Sequence, residues 1–473
     1  MAFGFPKGPK RLGNQNDYQS DATVVALQNS TAEAMNKRTG KFLLILGLAI
    51  GACLPLFTVA GRQDQLQESP AIGYRRAVSR DAVARLQQRI NSGEVKLAYS
   101  EKHGYLESVL KLLNVPASSQ GLVFSKTSFQ LHRIMPSSPR AIYFNDEVYV
   151  GWVRGGDVLE LAAVDSQLGG VFYMLDQVKT DRPRFQRNDE CLQCHASNST
   201  RNVPGFVVRS VYPDERGYPI APLGGFITTH GSPIKERWGG WYVSGKHGDE
   251  RHLGNMRFDE KGADYNPAQL AAQNLTNLEP RFDTSTYLTP HSDIVALMVL
   301  EHQTQAHNLI AKLSYETRLA LHNQQVMNEA LQQSNDELSD STRRRITHAA
   351  EDLVRYLLFA GEATWQSPIS GAGNFAKEFA AQGPRDKQGR SLRELDLRRK
   401  LFRYPCSYLI YSTAFDALPK PALDEAYRQL WLALTGQTKD KELLAMPPED
   451  RKAVLEILRV TKTNLPAYFQ RDN

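Results

Sequence analysis

The pentapeptide Cys191-Leu192-Gln193-Cys194-His195 constrains this chain more than any other feature. Two thiols three residues apart can each add to a vinyl group of one porphyrin, and the histidine directly after the second can then reach the iron from the proximal side. With four cysteines and eleven histidines in 473 residues, chance alone would give this pattern in roughly one such chain in a thousand. The spacing therefore predicts one covalent haem c, with its iron. A zinc half-site also uses thiolates and imidazole but needs further ligands, and the only other thiol outside the hydrophobic segment is the isolated Cys406. A redox dithiol would open a helix inside a βαβ unit, a pattern this sequence lacks.

No disulfide framework is available from Cys53, Cys191, Cys194 and Cys406. Cys406 lies in an apolar run and reads as a buried free thiol. Hydrophobic residues at 41% and charged residues at 23% match an ordinary water-soluble composition for most of the chain. The formal charge of +6 is half accounted for before residue 42, where six Lys and Arg face three Asp and Glu. The balanced remainder excludes a dedicated nucleic-acid binder, which concentrates cations on one module.

Residues 42–60, FLLILGLAIGACLPLFTVA, form nineteen uncharged residues between Lys41 and Arg62. That length spans a bilayer if helical, so the sequence predicts a transmembrane anchor or signal segment behind a disordered cytoplasmic tail at 1–41. Cleavage after Ala60, or lipidation at Cys53, are the processing alternatives. The basic leader favours staying inside. The bulk of the chain is therefore expected to be membrane-anchored and periplasmic or otherwise extracytoplasmic.

After the anchor, 79–90 and 101–113 have helical apolar spacing. From Ala141 the runs AIYF, EVYVGWV, VLELAAV and GGVFYML are separated by turn residues and predict an antiparallel meander. FVVRSVY and GGFITT follow the haem sequence around a turn, then PIKERW and GGWYVSG. Helical spacing resumes from Asp293 to Gly361, with polar breaks at 332–340 that suggest two helices or one bent coil; 367–395 reads as loop and 397–470 as helices. The expected fold class is α+β: an N-terminal transmembrane anchor, an antiparallel-sheet haem domain with N-terminal helices over 61–260, and a mainly helical region over 261–473.

Through Cys191, Cys194 and His195 the chain resembles c-type cytochromes, and a longer stretch around Arg237-Trp238-Gly239-Gly240-Trp241-Tyr242-Val243 is similar to uncharacterised bacterial haem-domain proteins. The resemblance implies thioether attachment at Cys191 and Cys194 and proximal ligation by His195. It does not extend to the small all-helical cytochrome fold. The distal ligand is expected among Met256, His252, His247 and His230. Met298 and His302 share a helix face but read as core. Trp238 and Trp241 could wall a porphyrin, and one or two of Arg182, Arg184, Arg187, Arg201 and Arg209 could meet its propionates. The expected function is electron transfer to redox partner proteins of a respiratory or periplasmic chain, in a carrier rather than a catalyst. A haem-based redox or gas sensor signalling through the C-terminal helices is the alternative, and a peroxidase-like enzyme a third.

Overall fold

The computed structural model describes residues 66–259 and 273–470, and all of them fall within one compact unit. Its centre is a seven-stranded antiparallel sheet. The strands are β1 (Gly121–Val123), β2 (Arg140–Phe144), β3 (Val148–Trp152), β4 (Val158–Asp165), β5 (Gly169–Asp176), β6 (Gln186–Arg187) and, after two short strands β7 (Arg209–Val211) and β8 (Gly225–Ile227), β9 (Trp241–Tyr242). Their order is β6-β5-β4-β3-β2-β1-β9. The four predicted runs form the meander β2 to β5, in which tight turns join neighbouring strands. Asn145 makes the first turn by accepting the N–H groups of Glu147 and Val148 on its side-chain oxygen, the local chemistry that suits Asn to turns.

Alternation along each strand sorts the side chains onto two faces. Val148, Val150, Leu159, Leu161, Val171 and Leu175 point to one core. The helices α1 (Ala82–Asn91) and α2 (Leu106–Leu112) cover that core with Val83, Leu86, Leu106 and Val109. Asp81 caps α1 by accepting from the N–H groups of Val83 and Ala84, a role its short carboxylate suits. The other face carries Phe144 and Tyr149 into a larger core built mainly by helices.

The haem sequence folds as a single helical turn, α3 (Leu192–His195), which enters the chain between β6 and β7. The C-terminal helices are led by α4 (Ile294–Leu331) and α5 (Asp340–Leu357), so the polar break separates two helices. Both ends of the break have local causes. Gln332 closes α4 in a left-handed conformation, and Ser339 caps α5 by accepting from Thr342 N–H. The segment read as loop at 367–395 holds strand β11 (Ser370–Gly371), paired with β10 (Gly245–Lys246), and the short helix Phe375–Ala380. Lys420–Leu434 and Pro448–Thr461 complete the helical layer.

The expected anchor at 42–60 lies outside the described residues. Among the described residues no helix is long and apolar enough to cross a membrane. The physical reason is clearest in α4, whose apolar start at Ile294–Leu300 gives way to Glu301, His302, Gln303, Thr304 and Gln305. The membrane-anchored fold class and the address drawn from it are corrected accordingly: what the described residues form is an α+β unit.

Candidate functional site

A cavity of about 450 Å³ lies between the second face of the sheet, the haem-sequence turn and α4, a size usual for a cofactor or small-molecule site. Its floor follows the sheet register. Met174 of β5, Glu160 of β4, Gly151 of β3 and Ile142 of β2 stand in one row across the strands, and Phe172, Ala162 and Tyr149 in the next. The roof comes from Cys191, Cys194, His195, Phe206, Val208 and Trp241, with Leu300 and Thr304 of α4. Most of the wall is therefore aliphatic or aromatic, and both thiols and the imidazole of the motif open onto it.

The motif histidine is fixed from two sides. Its Nδ1 lies 2.9 Å from the Gly205 carbonyl oxygen, and Gly205 N–H donates to the His195 carbonyl at 2.8 Å. A carbonyl only accepts, so Nδ1 carries the proton and Nε2 keeps the lone pair a metal requires. The Phe172 ring packs 4.7 Å from the imidazole. Burial lowers the His195 pKa, with the Gly205 carbonyl opposing and Arg140 adding to the fall, which keeps the ring neutral and ready to ligate.

Gly205 is itself held in place. Gly170 N–H at the start of β5 donates to the Pro204 carbonyl at 2.7 Å. Asn308 of α4 brackets Phe206, accepting its N–H and donating to its carbonyl, both at 2.8 Å. Sheet and helix thus clamp the loop that orients His195.

Burial pushes the Cys191 thiol up to about 11, with Glu160 adding to the rise. A redox dithiol needs the opposite shift in its attacking thiol. Among the described residues no three His, Cys, Asp or Glu side chains converge as a metal cage, which disfavours a closed zinc site. The residues fit haem c instead, which Cys191 and Cys194 would hold through their sulfurs and His195 through its imidazole.

None of the four expected distal ligands lines the cavity. His230 is fully buried elsewhere, its Nδ1 2.8 Å from Nδ1 of His302, whose Nε2 reaches Ser407 Oγ at 2.8 Å. His247 and His252 pack on each other, ring centroids 4.7 Å apart, and Met256 sits in a small cluster with Leu253 and Phe258. Trp241 reaches the cavity wall, whereas Trp238 does not. None of the five arginines, of which one or two were expected at the haem, lines the wall; Arg187, for example, pairs with Asp189 and donates to the carbonyls of Tyr74 and Ala77.

The cavity instead contains residues the sequence reading passed over: Arg140, Glu160, Met174, Phe129, Phe172 and Phe206. One signal was available. Gly151 interrupts the otherwise bulky β3 run VYVGW, and a glycine inside a strand often marks a close approach.

Comparison with known protein families, with curated proteins and with solved structures finds no match to this chain. The functional reading rests on the site alone.

Proposed function

We propose that this chain is a single-haem c-type cytochrome that passes electrons to and from protein partners. The observation that carries the reading is the placing of Cys191, Cys194 and His195 together on one apolar cavity, with the His195 tautomer set by Gly205. When bound, the haem supplies the one-electron chemistry, and the protein tunes it by ligand, burial and charge. Cys194 and Gln193 are exposed, so the attached edge would lie near solvent, where a partner can approach it.

The test is attachment. Protein matured in cells able to form haem c should give a pyridine haemochrome spectrum of one thioether-linked haem, stable to acid extraction. Cys191→Ala and Cys194→Ala should each lose one link, and the double variant should lose covalent haem altogether. Covalent haem persisting in the double variant, or absent from the parent, would overturn the proposal.

One observation favours a second reading, ligand or redox sensing. Leu300 and Thr304 in the cavity roof belong to α4, which continues to Leu331 and leaves Val326, Met327 and Leu331 exposed. A rigid helix leading from a cofactor wall to an exposed apolar end can carry a displacement outward. Hydrogen exchange along α4, compared between reduced and oxidised protein, separates the readings; a pure carrier shows no difference beyond the cavity.

A further inference from the structure

The cavity floor holds an ion pair. Arg140 of β2 reaches Glu160 of β4 across the intervening strand β3. It can do so because position 151 has no side chain: a Cβ on Gly151 would overlap the Arg140 guanidinium. Glu160 also accepts from Ser128 Oγ at 3.3 Å and from Gln130 Nε2 at 3.2 Å. The pair is largely buried, with Arg140 and Glu160 side chains 19% and 15% exposed.

Its position relative to the motif is given by the sheet. Phe172 of β5 touches His195, and β4, β3 and β2 follow outward in that order, each about 4.8 Å further. The pair therefore lies on the cavity floor beside the strand that carries Phe172. Apart from His195, the wall carries no imidazole. Met174 is the one thioether on the wall, and its sulfur is held by Asn188 Nδ2 at 3.3 Å, on the arm that leads directly into Cys191. That contact already occupies the sulfur with a donor.

Resting on the haem reading above, we infer that Arg140 and Glu160 form, in this cavity, a binding site for a small exogenous haem ligand, an anion or peroxide. A guanidinium donates charge-assisted hydrogen bonds to a bound anion, and the apolar walls exclude competing water and strengthen them. Glu160 holds the fork in place and can accept a proton from a protonated ligand. Ser128 belongs to the 127–129 segment, which lines the cavity and leaves Thr127 and Phe129 exposed.

The experiment is a titration of the ferric, haem-loaded protein with fluoride, azide and cyanide, followed by absorption. The parent should bind all three. Arg140→Leu should weaken binding about tenfold or more, the worth of one hydrogen bond to a charged group. Gly151→Ala, which keeps both charges but displaces the guanidinium, should weaken it in the same direction, and so should Arg140→Lys, which loses the fork. Haem content and far-ultraviolet circular dichroism establish that each variant is folded and loaded. A loaded parent that is low-spin and does not respond to anions, or that becomes responsive only in Met174→Leu, would overturn the inference while leaving the haem assignment intact. Equal affinities in the parent and in the three variants would overturn it too. Failure to attach haem at all would refute the proposed function instead.

Discussion

His195 and Gly205 hydrogen-bond each other twice, imidazole to carbonyl and amide to carbonyl, at 2.9 and 2.8 Å. The contact that chooses the tautomer is thus built into the backbone. Its support is Asn308, and a Cβ on Gly205 would overlap the Asn308 side chain. Asn308→Ala should leave the Phe206 N–H and carbonyl buried without partners, costing about 1–3 kcal/mol of stability. Urea denaturation measures this, and an unchanged midpoint would contradict the clamp.

In haem-free protein the three described thiols should differ in reactivity. Cys194 is exposed, Cys191 is half-buried with its thiol pushed up to about 11, and Cys406 is fully buried and pushed up to about 12. Only the thiolate is nucleophilic. Iodoacetamide near neutral pH should therefore label Cys194 first, Cys191 slowly and Cys406 only after denaturation, as read by peptide mass spectrometry. Rapid labelling of Cys406 in folded protein would contradict its placement.

The ion pair of Arg237 and Glu301, at 3.0 Å with both side chains essentially inaccessible, fastens the 230–237 segment to α4. Arg237 also donates to the Ser232 and His230 carbonyls. Arg237→Leu should destabilise the protein by about 3–5 kcal/mol, because it strands a buried carboxylate. Arg237→Leu combined with Glu301→Leu should recover much of that loss. A double variant no more stable than the single one would show that the pair matters by more than charge compensation.

Acid should destabilise the fold through its buried imidazoles. Burial lowers the pKa of His302 to about 3 and of His307 to about 4, and lowers those of His230 and His252 well below the usual value. Because the folded values lie below the unfolded one, their stabilisation is present above about pH 6.5 and is lost as pH falls toward the folded values. Glu301 and Glu362, each raised to about 7 by burial, act with the opposite sign, so comparison between variants isolates each group. Neither ring nitrogen of His307 makes a well-formed hydrogen bond, the Asp146 backbone only partly opposing the effect of burial. His307→Leu should remove a group that is costly to bury and flatten the acid loss, visible as a smaller fall in melting temperature below about pH 6. A steeper fall would contradict this.

The strands β2 to β5 were legible because alternation and turn residues act locally, and the same holds for the Asp81 cap and the break between α4 and α5. The motif was legible for another reason: its chemistry is contained in five consecutive residues. Candidate distal ligands were not legible. His230, His247, His252 and Met256 follow the motif closely in sequence, but each is drawn into other packing by His302, by its histidine neighbour or by Leu253 and Phe258.

By itself the sequence determined the Cys191-Cys194-His195 motif and the alternation that makes the sheet. Only the tertiary structure decided what faces them. Arg140 and Glu160 are 20 residues apart in the chain, and no local pattern relates either to the motif. Strand register and the bare backbone at Gly151 bring them together, because contacts across a sheet depend on which strands pair and in what alignment, which no single segment encodes.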